Sequence, residues 1–113
     1  MKIKLLKSKI HRATVLDACL DYEGSIAIDQ KLMQAANLMP HEKVHVLDVT
    51  NGNRLETYVI PSNKKGDICI NGAAAHLVHP QDIIIIVSYA TMTKDEAENF
   101  KPSVIYPNDL NEI

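Results

Sequence analysis

Apolar positions along this chain recur with period two in short runs, and few stretches show the three-to-four spacing of a helix. Residues 2–6, 12–16, 19–22, 25–28, 43–49, 54–60, 67–70, 83–89 and 103–106 are rich in Ile and Val and bounded by polar or turn residues. Each therefore predicts a strand. At the start, Lys2 and Lys4 alternate with Ile3 and Leu5 and are followed by Lys7 and Lys9, which reads as the outer face of a strand. "VHVLDV" and "RLETYVI" flank Thr50-Asn51-Gly52-Asn53, and Asn-Gly supplies the positive φ angles of a type I′ turn, so these runs predict a hairpin. Helices are few. Asp29 can cap "QKLMQAAN", where Leu32, Met33 and Ala36 form one stripe and Asn37 offers a left-handed stop. Thr93-Lys94-Asp95-Glu96 has the form of a capping box opening "KDEAENF", with Pro102 beyond it. A turn of helix fits "GAAAHL". The pattern predicts one small, mainly β barrel with two or three helical caps.

Composition narrows the picture. A chain of 113 residues suits one domain, and 46% hydrophobic with 23% charged residues is ordinary for a soluble globular protein. With 4% aromatics and no Trp, the core must rest on Ile, Val, Leu and Ala, leaving apolar surface for neighbouring subunits to cover. A net charge of −2 gives no electrostatic case for nucleic acid. The longest apolar run, Ile83 to Val87, is far too short to span a membrane, and the basic start lacks the apolar segment of a signal peptide. Cys19 and Cys69 are too few for a disulfide framework or a zinc site, which points to a reducing cytoplasm. His76-x-x-His79 with Cys69 upstream has poor count and spacing for a metal, and His41, His45, His76 and His79 read as surface or packing residues.

Three of the four glycines have ordinary explanations: Gly52 and Gly66 in turns, Gly72 where a strand ends. Gly24, between the strand-like runs in "DYEGSIAID", does not, because glycine inside a strand weakens it and marks a bulge or a close backbone approach. The plainer reading is a bulge followed by a serine that only hydrogen-bonds. No G-x-S-x-G elbow accompanies it. The sharper reading is self-cleavage. Ser25 Oγ can attack the Gly24 carbonyl carbon, forming the C–O bond and breaking the C–N bond, so that amide becomes ester. Amide planarity opposes this, and a strained backbone with preplaced donors for the oxyanion lowers the cost. β-Elimination of the ester gives dehydroalanine, and hydrolysis with loss of ammonia leaves a pyruvoyl group. Its ketone forms Schiff bases with amino acids and acts as an electron sink.

"KIHR" at 9–12, "YEGSIAID" at 22–29, "VTNG" at 49–52, "TY" at 57–58, "NGAAAH" at 71–76 and "VSYATM" at 87–92 stand in the order and spacing of the bacterial aspartate decarboxylases. The chain resembles that family over nearly its whole length. The resemblance implies a six-stranded double-psi β-barrel with short capping helices, in a single domain of residues 1–113 cleaved into 1–24 and 25–113. It further implies a homotetramer with active sites between subunits, a covalent pyruvoyl cofactor made from Ser25, and conversion of L-aspartate to β-alanine and CO₂ for pantothenate synthesis. A maturation factor is a further possible partner.

Residue by residue, the resemblance assigns cleavage to Gly24 and Ser25 and proton donation to the carbanion to Tyr58. Thr57 matches a residue that contacts substrate and assists processing. Gly72, Ala73 and Ala74 match substrate-binding backbone, where small side chains let N–H groups approach a carboxylate. Asn71 is placed to orient the processing site or the substrate, and His11 and Tyr22 line the site. Arg54 and Lys9 are the cations near substrate. Because the α-carboxylate leaves as neutral CO₂, they should hold the side-chain carboxylate, and the Arg fork suits it better. Ile26 stands where some relatives carry a small or sulfur-bearing residue, and the chain ends at Ile113 without a longer tail. The competing readings are a pyruvoyl decarboxylase of another acidic amino acid and a non-catalytic β-barrel binding or assembly domain.

Overall fold

The alternation is realised as eight strands, two short α-helices and a 3₁₀ turn in the computed structural model, which describes residues Met1–Ile113. In chain order these are β1 Lys2–Thr14, β2 Asp17–Cys19, β3 Ser25–Asp29, α1 Gln30–Ala35, β4 Lys43–Asp48, β5 Arg54–Ser62, β6 Ile68–Asn71, the 3₁₀ turn Gly72–His76, β7 Ile83–Thr93, α2 Lys94–Glu98 and β8 Ser103–Ile105.

Hydrogen bonds order the strands β2-β6-β3-β5-β4-β7-β1-β8. The residues between β1 and β2 link the two ends of that order. Val15 N–H donates to Asp82 O at 2.9 Å, beside β7, and Leu16 N–H donates to Ile68 O at 2.9 Å, on β6. Counting β1 and β2 as one bent strand, six strands close a barrel, with β8 added beside β1. Most pairs are antiparallel, but β2 runs parallel to β6, β3 to β5 and the added β8 to β1. Parallel neighbours require a crossing connection, and within the six-stranded barrel the two such connections are the helix-bearing β3-to-β5 segment and the longer β2-to-β6 segment. A mainly β, six-stranded barrel with short helices is thus the observed architecture.

Closure leaves inward positions dry. Ile10, Ile26, Ile28, Ile70, Ile84 and Ile86 are fully buried, and each such side chain stabilises the fold by roughly 1.5–3 kcal/mol. The caps form as the sequence predicts. Asp29 accepts the Lys31 N–H at 2.9 Å, and its second oxygen accepts the Gly66 N–H at 2.8 Å. Thr93 and Glu96 make the reciprocal capping box, and Asn37 takes φ 58° just past α1.

Three expectations are corrected. The run 2–6 and the first three residues of the run 12–16 belong to one 13-residue strand, Lys2–Thr14. Irregularities at Leu6/Ser8 and Ile10/Ala13, with Arg12 at φ 66°, let it stay paired with β7 while interrupting its sequence period. The run 19–22 is not a strand: β2 stops at Cys19, and Gly24 lies in the loop before β3 rather than at a bulge inside a strand. The Asn51-Gly52 turn is not type I′. Gly52 alone has a positive φ, 80°, and the connection spans Val49 to Asn53. Its geometry is set by Asp48 Oδ1, which accepts the Thr50 and Asn51 N–H groups at 2.8 and 3.2 Å. A side chain overrode the dipeptide rule.

Asp48 is buried beside Asp82 at the start of β7. Burial, and next a hydrogen bond with Asp82, push the Asp48 carboxyl up to about 6. Burial alone would also raise Asp82. Hydrogen bonds from Asp48 and from the His79 N–H outweigh it and hold Asp82 below the usual carboxylate range. Below about pH 6 the pair therefore carries one proton, on Asp48. A second polar tie holds the C-terminal segment. The buried Asn111 side chain accepts the Thr14 N–H at 2.8 Å and donates to the carbonyls of Thr14 and Gly66 at 2.7 and 2.8 Å.

Candidate active site

Ser25 opens β3, and its position follows from two registers. Across the antiparallel pair it sits opposite Asn71 of β6. Across the parallel pair, Ile26 is level with Val59 of β5, so one step back along both strands sets Ser25 beside Tyr58. Ile26, Val59 and Ile70 point into the core, so Ser25, Tyr58 and Asn71 share the outer face of the barrel. Outer faces are normally wet. Here Ser25 is 1% exposed and Asn71 4%, because the loop before β3 and the turn after β6 cover them.

Those two segments meet at glycines. Gly72 has φ 75°, and a Cβ built on it would lie 2.6 Å from Gly24 Cα and 3.2 Å from the Tyr22 carbonyl oxygen. Only glycine fits, on both conformation and space. Gly24 itself has neither requirement: its φ is not left-handed, and an added Cβ would meet nothing within 4 Å. The unexplained glycine of the sequence thus has room for a Cβ of its own, and the one read as a plain strand end is the one that must be glycine for the two to pack.

Within this cover the Ser25 hydroxyl is held from two sides. It donates to the Glu23 carbonyl at 3.1 Å and accepts from Asn71 Nδ2 at 3.2 Å. Asn71 Oδ1 in turn accepts from the Cys69 thiol at 3.3 Å. The hydroxyl that would attack the Gly24 carbonyl is therefore buried and fixed by hydrogen bonds immediately after that carbonyl.

The remaining predicted residues divide into near and far. Tyr58 is 37% exposed on the outer face of β5, with its ring 6.2 Å from that of His41. Thr57 points the other way and is half-buried. Ala73 and Ala74 follow Gly72 in the 3₁₀ turn, Ala73 exposed and Ala74 packed on the core. Tyr22 is 57% exposed on the covering loop. Arg54 shares Tyr58's face of β5 but sits four positions back, about 13 Å along the strand.

Lys9 and His11 are not at this place. They lie on β1, which is reached from β3 across β5, β4 and β7 or along the whole Lys9–Cys19 segment. His11 packs edge-on against Tyr106 with ring centroids 5.7 Å apart, and its Nδ1 is buried without a hydrogen-bond partner. Burial, with Lys9 and Arg12 nearby, lowers its pKa, so the imidazole is neutral near pH 7. Among the other histidines, His45 pairs with Glu56 at 2.9 Å, and His76 and His79 are exposed.

Sequence reasoning missed Cys69, which it weighed only for a disulfide or a metal site. The usable signal was the period of two in "CIN", which puts Cys69 and Asn71 on one face of β6.

Fold and cluster together define a small closed β-barrel whose polar chemistry gathers on the outer face, at a Gly–Ser junction opening a strand. The aspartate decarboxylase family model matches residues 1–113, and the chain belongs to that family. Proteins named aspartate 1-decarboxylase are similar over its full length. That of Campylobacter fetus is 58% identical, covering 100% of this chain and 98% of the relative. That of Acetivibrio thermocellus is 57% identical, covering 100% and 90%. That of Porphyromonas gingivalis is 56% identical, covering 96% and 92%. Among solved structures, the computationally designed msDPBB_sym2 protein aligns with a TM-score of 0.49 at 14% identity, covering 74% of this chain and 96% of that one. That likeness is too distant to bear on the fold.

Proposed function

We propose that the chain cleaves itself between Gly24 and Ser25 and, so matured, decarboxylates L-aspartate to β-alanine and CO₂. The observation that carries this reading is the full-length family match together with a buried Ser25 hydroxyl, hydrogen-bonded on both sides, next to the Gly24 carbonyl. The residues present fit a pyruvoyl group derived from Ser25. Its position is already dry, and Gly24 packs against Gly72 on one side while its Cβ direction is open. Such a group supplies the carbonyl that takes up the substrate amine and the sink for the electron pair left by CO₂.

The chain's own residues supply the rest. Ser25 Oγ forms the ester with Gly24 and releases its own amide nitrogen. Asn71 and Gly72 keep that junction in place. Tyr58, on the outer face beside Ser25, delivers the proton to the carbon that lost CO₂. The resemblance gives Thr57 a part in processing as a donor to the oxyanion, although it faces away from Ser25's side of β5 in its own chain, and the N–H groups of Gly72, Ala73 and Ala74 offer donors to a substrate carboxylate. Arg54 holds the substrate's surviving side-chain carboxylate, with Lys9 as a second cation.

The distance of Lys9 and His11 from Ser25 within one chain supports an active site completed by a second copy. We take the assembly to be a homotetramer, with Tyr22 and His11 lining the shared site.

Purified protein should release CO₂ and β-alanine from L-aspartate and show much weaker turnover of L-glutamate. Tyr58→Phe should still be cleaved yet lose at least about a hundredfold in kcat, the usual worth of a placed general acid. Protein cleaved at Gly24 that leaves aspartate untouched would overturn the substrate assignment. Preference for glutamate would favour the other acidic amino acid.

A further inference from the structure

On the processing reading above, we infer that Cys69 is a positioning residue for self-cleavage, its thiol satisfying the amide oxygen in the hydrogen-bond chain that runs through Asn71 and the Ser25 hydroxyl to the Glu23 carbonyl. The inference rests on the order of donors. A primary amide held between two partners has two orientations, related by a flip, and its neighbours select one. Here the Cys69 thiol lies 3.3 Å from Asn71 Oδ1, and Asn71 Nδ2 lies 3.2 Å from Ser25 Oγ. The chain then runs one way: thiol to amide oxygen, amide N–H to hydroxyl oxygen, hydroxyl to the Glu23 carbonyl at 3.1 Å.

Without a donor at position 69 the amide is free to flip. Its oxygen would then face Ser25 and accept the hydroxyl proton, so that Oγ loses both the N–H that fixes it and its tie to the Glu23 carbonyl. The thiol is well suited to hold the other orientation. It is half-buried, and burial, with Asp17 and Asp67 nearby, pushes its pKa up, so it stays a donor at neutral pH. Backbone geometry makes the contact persistent. Cys69 and Asn71 are two apart on β6 and share a face, while Asn71 is level with Ser25 across the β3–β6 pair.

A donor role and a packing role predict opposite orders among three substitutions. Serine keeps a donor in a smaller side chain, valine keeps volume without a donor, and alanine has neither. Freshly synthesised chain would be followed by denaturing mass spectrometry as it converts to residues 1–24 and 25–113, with melting temperature measured in parallel. We expect Cys69→Ser to cleave within about twofold of the parent chain. Cys69→Val and Cys69→Ala should each slow roughly three- to tenfold, the rate worth of one hydrogen bond. Melting temperature should not follow that order. Equal rates in all four chains would overturn the inference, as would Val cleaving like the parent while Ser and Ala lag, which is the packing order. If Cys69→Ala folds poorly, the Ser–Val comparison alone decides. A parent chain that stays whole overturns the processing reading itself, so the two failures are distinguishable.

Discussion

Two buried polar clusters sit in this barrel, and they differ in what their burial achieves. At the β4–β7 end, Asp48 and Asp82 face one another, and Asp48 organises the turn through the Thr50 and Asn51 N–H groups. At the β3–β6 outer face, Cys69, Asn71 and Ser25 form a neutral chain ending on a backbone carbonyl. The carboxyl pair carries the larger electrostatic perturbation and lies in no family motif assigned to chemistry. The neutral chain carries no charge and adjoins the bond proposed to break. A strongly shifted pKa marks a functional site only when geometry agrees, and here Asp48 is accounted for by the turn it anchors. The reactive place is marked by an outer strand face kept dry and by a glycine with no room for a Cβ.

Substitutions can break this contrast, beginning with the largest effect. Ser25→Ala removes the nucleophile and should abolish conversion altogether, leaving the 113-residue chain whole by mass while far-ultraviolet circular dichroism stays unchanged. Gly72→Ala should destabilise by roughly 2–4 kcal/mol, combining the left-handed penalty with a forced shift of the Gly24 loop, and should slow cleavage as well. Urea denaturation and the same mass measurement would check both.

The carboxyl pair should affect stability alone. Asp48 has a folded pKa raised to about 6. Its contribution is therefore fully present below its unfolded value near 4 and is lost as pH rises through 6. Asp82, held low, works in the opposite sense, and its contribution is lost only as pH falls below about 4. Asp48→Asn mimics the protonated partner. It should exceed the parent in stability by about 2 kcal/mol at pH 8, with the gap closing toward pH 4. A gap independent of pH would contradict the proton on Asp48. The smallest effect belongs to Gly24→Ala, which should change unfolding free energy by no more than about 0.5 kcal/mol, since nothing occupies the added methyl's space.

The sequence was most informative where one local rule acted without competition. The strands could be read because closure buries alternate residues, as in Ile68 and Ile70 with Cys69 between them. Asp29 and Thr93 could be read because a cap is a local contact. Reading failed where a distant partner decided. Bulges around Lys7 and His11–Arg12 hid the continuity of β1, since an extra residue reverses the alternation. Asn51-Gly52 pointed to a two-residue turn that the Asp48 carboxylate replaced. The Gly24–Ser25 junction was legible as an oddity, and the family's motifs gave it a chemistry. Its surroundings were not legible. Ser25 and Asn71 are 46 positions apart, and only the β3–β6 register brings them together. The separation of Lys9 and His11 from Ser25 likewise follows from strand order alone.

The most direct test of the central claim is an intact mass spectrum of the purified protein under denaturing conditions. Two chains should appear, residues 1–24 and residues 25–113, the larger one lighter by one ammonia than simple hydrolysis gives. A single unbroken chain that persists through prolonged warming and exposure to host extract would contradict the account. It would leave a closed barrel with a buried serine and no chemistry.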